Sequence, residues 1–244
     1  MVILTGFYNA ENYIERCLTT IKNQKYTDFT CYITHDHSTD NSVKVVKEFI
    51  KDDDRFVLVE ESEKKLYQTG NFDTVIRNNP NIKDNEVLIE VDGDDYLPDR
   101  YVFTRINEVY KNDEVWIANG SFKYSNDQPG FSQKQTGFDN LRNSRFTASH
   151  IRTWRAFLWR SIKEEDLRDD NGDYWQWSGD LCFMYPMLEM SGEKHYRFMD
   201  EINYVYNGEN PINEHKIDMT MVNDHAFKIR NKQPYKKLQN ERIR

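Results

Sequence analysis

Cysteine is scarce in this 244-residue chain, with only Cys17, Cys31 and Cys182 present. An odd count at wide spacing excludes a disulfide framework and gives no zinc-knuckle pattern. The thiols read instead as buried side chains in a reducing compartment, which places the protein in the cytoplasm. Long apolar runs are also missing. None approaches the ~18 residues a membrane-spanning helix needs, so no transmembrane segment is expected, and peripheral membrane contact stays open. Met1 to Gly6 is too short for a signal peptide and reads as the start of structure. A basic excess is lacking too. Lys and Arg total 33 against 41 Asp and Glu, a formal net charge of −8, which argues against nucleic acid as a partner. Acidity does not exclude a nucleotide ligand, because a divalent cation can offset phosphate charge. Neither internal repeats nor low-complexity tracts occur.

Aromatic residues make up 14% of the chain and charged residues 30%. That composition supports both a core and an aromatic-lined cleft, and excludes global disorder. The length suits one α/β domain with a C-terminal elaboration. Short apolar runs at Val2–Phe7, Phe29–Thr34, Phe56–Val59 and Val87–Val91 read as strands. Between the first two, Ile14, Cys17, Leu18 and Ile21 recur at helical spacing after Asn9, a candidate cap. A second helix carries Val43, Val46, Phe49 and Ile50 behind Asp40 or Asn41. A third is expected from Asn71 to Asn79, opened by Gly70 and stopped by Pro80. Alternating strands and helices imply a mostly parallel sheet.

Ligands of such sheets collect beyond the C-terminal strand ends. Three ends are polar here: Tyr8-Asn9, His35-Asp36 and Asp92-Gly93-Asp94-Asp95. The last packs acids that repel one another unless a cation lies among them. Gly93 permits a turn there, and Pro98 suits the first turn of a following helix. Further on, Val115–Ala118 reads as a strand, 119–149 as an ordered excursion, and Trp154–Ile162 as an aromatic and basic helix. A helix follows Gly179-Asp180, bent or limited by Pro186 and ended by Gly192. His195–Met199 and Tyr204–Tyr206 alternate like strands, and the chain from Lys228 reads as a solvated terminal helix.

Tyr8-Asn9-Ala10-Glu11-Asn12-Tyr13-Ile14, His35-Asp36-His37-Ser38-Thr39-Asp40-Asn41-Ser42, Arg77-Asn78 and Asp92-Gly93-Asp94-Asp95 occur in this order. Together they resemble the family 2 glycosyltransferases of GT-A fold, strongly over residues 2–112 and more loosely over 150–215. His150-X-Arg152-Thr153 and Asn207-X-X-Asn210-Pro211-X-Asn213-X-His215 are similar to stretches in small relatives of that family.

The resemblance implies a GT-A, Rossmann-like α/β fold. Residues 1–118 would form the nucleotide-sugar-binding half and 119–230 the acceptor-binding and catalytic half, with a polar basic tail at 231–244. It implies an enzyme that moves a sugar from a nucleoside-diphosphate sugar, with UDP-sugar favoured, to a glycan or other hydroxyl acceptor with inversion. Thr5, Gly6, Phe7 and Tyr8 would hold the nucleotide, and Asp36 would accept the imide N–H of a uracil-like base. Arg77 would counter the diphosphate, with Asn71 and Lys65 as alternatives. Asp92 and Gly93 would meet the ribose or the metal surroundings. Asp94 would ligate Mn²⁺ or Mg²⁺, with Asp92 and His215 beside it and Asp95 undecided. Asp180 would be the general base, with Asp173 and Asp170 as fallbacks. Trp154, Trp159, Trp175 and Trp177 are candidates for either core or sugar platform.

Two other enzyme classes fit less well. A sugar-phosphate nucleotidyltransferase needs a Gly-rich basic loop after the first strand, and a phosphatase needs an Asp there. Thr5-Gly6-Phe7-Tyr8-Asn9 offers neither. A non-catalytic nucleotide- or glycan-binding protein of the same fold remains the rival.

Overall fold

The computed structural model describes residues 1–239. Seven strands form one sheet in the order β3-β2-β1-β4-β6-β5-β7. Strands β1 (Val2–Phe7), β2 (Thr30–His35), β3 (Phe56–Leu58) and β4 (Val87–Glu90) are parallel. Strand β6 (Arg152–Arg155) runs antiparallel to both β4 and β5 (Ile117–Tyr124), and β5 pairs in parallel with β7 (Tyr196–Tyr206). The sheet is therefore mostly parallel, with helices on both faces, as expected of a GT-A fold.

Strand alternation divides the core. Val2 and Leu4 of β1 point to the face that holds Phe72, Trp154, Trp159 and Phe183, while Ile3 and Phe7 point to the face that holds Ile14, Leu18, Val46 and Phe103. Helix α1 (Ile14–Lys22) buries the expected Ile14, Cys17, Leu18 and Ile21. Helices α2 (Ser42–Ile50) and α4 (Val102–Tyr110) share that face. Helices α3 (Tyr67–Asn78), α5 (Ala156–Arg160) and α6 (Gly179–Ser191) cover the other. Helix α6 is buried on all sides from Cys182 to Ser191, which is why it lacks an amphipathic stripe. Short α7 (Glu214–Ile217) and then α8 (Met219–Asn231) close the described C-terminal part. No described helix is long and apolar enough to cross a membrane.

Several local expectations change. Trp154 lies in β6, paired with Leu88 on one side and Ile117 on the other. A short aromatic run flanked by arginines carries no period that distinguishes a central strand from a helix, and the helix starts only at Ala156. Gly70 lies inside α3, where a Cβ would meet the Tyr174 ring at 2.4 Å. Pro98 stands in the turn before α4, not in its first turn. Asn9 does not cap α1; its Oδ1 accepts from Thr39 N at 2.8 Å and so braces the loop after β2. Pro186 is accommodated within α6, and Gly192 follows it with φ +59°. The two C-terminal strand segments are one strand, β7, with a register shift opposite Ser121. After Asn231 the described tail is extended rather than helical and packs back, with Tyr235 N donating to Glu189 Oε2 at 2.9 Å. Arg242 and Arg244 lie outside the described residues.

Candidate active site

Sheet polarity assembles the site. Strands β1, β2, β4, β5 and β7 all end on the same edge, and antiparallel β6 begins there. A cleft of about 960 Å³ opens along that edge. Gly6, Phe7, Tyr8, Asp36, Asp92, Asp94, Asp180 and His215 all line it, as do the alternatives Lys65 and Asn71.

One end of the cleft suits a base. Tyr8 is 42% exposed, and Lys65 Nζ lies 4.9 Å from the centre of its ring. Asp36 Oδ1 accepts from Leu66 N at 2.9 Å, which fixes the carboxylate at the wall. His35 and His37 face Glu61, whose Oε1 lies 2.9 Å from His35 Nδ1 and accepts from His37 N at 2.6 Å. Thr5 does not reach the cleft. It is fully buried, with Oγ1 3.7 Å from Cys31 Sγ. Gly93 acts through its backbone. Its N–H donates to Gly6 O at 2.9 Å, and a Cβ would come within 2.6 Å of Phe7 Cβ.

Arg77 does not face the cleft. Its Nε donates to Asp73 at 2.6 Å, and its Nη atoms donate to the carbonyls of Trp159, Arg160 and Ile162. The guanidinium ties α3 to the end of α5 and is not placed to counter a diphosphate. The tryptophans divide likewise: Trp154 and Trp159 are buried in the core, whereas Trp177 and the largely buried Trp175 line the cleft.

The acidic turn occupies the centre. Asp92 accepts from Gln68 Nε2 and lies 3.4 Å from Tyr204 OH. Asp94 Oδ2 accepts from Asn210 Nδ2 at 2.7 Å, and Asp95 Oδ1 accepts from Asn207 N at 2.6 Å. Burial raises the pKa of all three carboxyls, and neighbouring carboxylates add to it at Asp92, through Glu90 and Asp94, and at Asp95, through Asp94 and Asp92. His150 stacks on Tyr204, with ring centres 4.5 Å apart. Burial, with Arg152 nearby, keeps its imidazole neutral. Ligand atoms of Asp92, Asp95 and His150 lie within 4.8 Å of one another. Asp95 Oδ2 and His150 Nδ1 are buried without a hydrogen-bond partner. Oxygen donors joined by a neutral imidazole fit a divalent cation. Of the expected ligands, Asp92 belongs to this group, whereas Asp94 and His215 stand outside it.

Asp180, in the first turn of α6, lines the same cleft. Its Oδ2 accepts from Arg152 Nη2 at 2.6 Å, and Arg152 Nη1 donates to Glu90 Oε2 at 2.9 Å. Ser178, the residue before α6, has φ +54°. Its N–H donates to Glu214 Oε2 at 3.0 Å, and its Oγ donates to Val222 O at 2.9 Å. Glu214 is exposed as a residue, but its carboxyl end reaches into the cleft. Burial there pushes the carboxyl up to about 7. The fallbacks Asp170 and Asp173 are not among the residues that line the cleft.

Glu90, His150, Arg152, Asn210 and Glu214 thus join the site beyond the residues assigned to it from sequence. A glutamate ending the apolar run Val87–Ile89 was the available signal for a buried charge needing a cation. Its partner stands 62 positions away, which no local pattern reveals.

Residues 2–169 match the family described as Glycosyl transferase family 2, and the chain belongs to that family. It is 30% identical to the glycosyltransferase GlyA of Streptococcus pneumoniae over 130 residues, 53% of this chain and 18% of GlyA. It is 21% identical to the putative glycosyltransferase EpsH of Bacillus subtilis over 222 residues, 90% of this chain and 61% of EpsH. Among solved structures, S. aureus TarS 1-349 in complex with UDP-GlcNAc gives a TM-score of 0.64 at 16% identity, covering 88% of this chain and 60% of that one. The chain therefore spans less than two thirds of each of these relatives.

Proposed function

We propose that this protein is a metal-dependent glycosyltransferase that moves a sugar from a UDP-sugar to a hydroxyl of a glycan acceptor, with inversion at the anomeric carbon. The observation that carries the reading is that Asp180 lines the same cleft as the acidic turn and is held there by Arg152. Inverting transfer needs a base on the acceptor side and charge stabilisation on the leaving-group side. The UDP-GlcNAc and UDP complexes of TarS, a relative in fold, support uridine as the base.

Asp36 and Tyr8 bind the uracil end of the donor. Asp92, Asp95 and His150 would hold a divalent cation, with Asp94 beside them in the same turn, and the cation when bound would offset charge on the departing diphosphate. Asp180 accepts the proton of the acceptor hydroxyl as its oxygen attacks the anomeric carbon. Tyr124, Phe131 and Tyr206 also line the cleft, and Phe131 is 46% exposed. These rings offer apolar faces to an acceptor sugar.

The test is release of UDP from UDP-GlcNAc in the presence of Mn²⁺. Asp180→Asn should lower turnover by about 10²–10⁴-fold, the usual contribution of a general base, while UDP binding by calorimetry is retained. Binding without any turnover in the unmodified protein would favour the non-catalytic reading instead.

A further inference from the structure

Asp180 belongs to a row of three charges that runs from the interior of the sheet to the cleft. Glu90 and Arg152 have side chains 1% and 5% exposed, and Asp180 is 28% exposed. One guanidinium bridges the two acids through different nitrogens, at 2.9 Å and 2.6 Å. A guanidinium is planar, so its N–H groups point in fixed relative directions. Anchoring one edge on a buried carboxylate fixes the other edge, and with it Oδ2 of Asp180. Oδ1 is left for a hydroxyl in the cleft.

Stability alone gives little reason for this arrangement. Glu90 Oε1 and Arg152 Nε are buried without partners. A partly satisfied buried ion cluster is commonly no more stable than apolar side chains of the same volume. Its position at the cleft, ending on the one carboxylate of α6 that lines it, gives a reason of another kind.

We infer that Arg152, anchored by Glu90, is a positioning residue that holds Asp180 in the orientation for proton transfer. The inference rests on Asp180 being the base. Arg152 supplies geometry and a counter-charge, and Glu90 limits how much of that charge Asp180 receives. The other charged or titratable groups around Asp180 are Asp92 beyond β4, Glu214 and His215 of α7, Tyr67 of α3, and Cys182 and Tyr185 of α6. None of them bridges it as Arg152 does.

The test reads the carboxyl carbon of Asp180 by ¹³C NMR against pH in the full chain, with the signal assigned by its loss in Asp180→Asn. In Arg152→Gln, Asp180 loses a contacting cation and still faces Glu90, so its midpoint should rise by about 1–3 pH units. In Glu90→Gln, a negative charge leaves the far edge of the guanidinium, so the midpoint should fall. Charge alone accounts for these two directions, so the split between kcat and KM separates positioning from a merely structural ion pair. The UDP released from UDP-GlcNAc with Mn²⁺ should fall through kcat in Arg152→Gln, with the donor KM held. Unmoved midpoints, or an unchanged kcat in Arg152→Gln, overturn the inference. Should Arg152→Gln not fold, Arg152→Lys decides: it keeps the charge but loses the planar bridge, and an unchanged kcat overturns the inference. An Asp180→Asn protein that still releases UDP refutes the base assignment instead. An inactive Asp180→Asn protein with unmoved midpoints refutes only the positioning role.

Discussion

The side-chain amide of Asn210 donates to Oδ2 of Asp94 at 2.7 Å, joining the C-terminal arm to the acidic turn across 116 positions of sequence. The same arm reaches Asp95 through Asn207 N and the start of α6 through Glu214. One segment therefore touches both the acidic turn and the start of α6.

Asn210→Ala removes a donor that orients Asp94. Loss of such an outer partner usually costs about 10–100-fold in metal affinity. Calorimetry of UDP with Mn²⁺ should show a weakening of that order, and little change without the metal. Equal weakening in both conditions would mean that Asn210 serves the nucleotide and not the cation.

Asp36→Asn tests recognition of the base. A charged acceptor for an imide N–H contributes about 1.5–3 kcal/mol, so UDP binding should weaken by about 10–150-fold. GDP, which presents a different edge, should respond less. A parallel loss for both nucleotides would take Asp36 out of the base contact.

Glu214→Gln should change how stability varies with pH. The Glu214 carboxyl is pushed up to about 7 by burial, from an ordinary value of 4.5. A raised carboxyl pKa means the folded state holds the proton more tightly. Its contribution is complete below pH 4.5, declines as pH rises between the two values, and is gone above about 7. The neutral amide escapes that decline. The Tm of the variant relative to the unmodified protein should therefore climb from pH 4.5 to pH 8 in scanning fluorimetry. Water around the exposed stem trims the effect. A flat difference would place the carboxyl in water.

Gly70→Ala sets two effects against each other. Alanine gains about 1 kcal/mol of helix propensity over glycine. Its Cβ, however, would meet the Tyr174 ring at 2.4 and 2.7 Å. That ring cannot simply swing away, because Tyr174 OH donates to Asp73 Oδ2 at 3.0 Å. Overpacking of this kind costs about 1–3 kcal/mol, so a net loss is expected, read as a lower urea midpoint. A gain would show that the ring moves freely.

The donor half was legible because its elements are local. Apolar runs at β1, β2 and β4 end abruptly in polar residues, and α1 shows its buried face in four side chains. Strand β6 was not legible. Its Arg-Thr-Trp-Arg sequence makes sense only between β4 and β5, where Arg152 meets Glu90 and Arg155 meets the carbonyls of Asn85, Tyr110 and Val115. Arg77 shows the opposite failure. Its position within a motif suggested phosphate, but α5 and the turn after it present three carbonyls closer at hand. Partners of buried charges are set by topology, and topology was the least visible feature of the sequence.

Strand β6 also limits how the molecule can move. It is hydrogen-bonded to β4 on one edge and to β5 on the other. A hinge between the donor and acceptor halves would have to tear one of those ladders. Motion at the cleft then falls to segments outside the sheet that line it, 125–131 and 208–217, while the plate beneath stays whole. In hydrogen exchange, the amides of β4, β5 and β6 should open together as one slow unit, and those of the two rim segments should exchange far sooner.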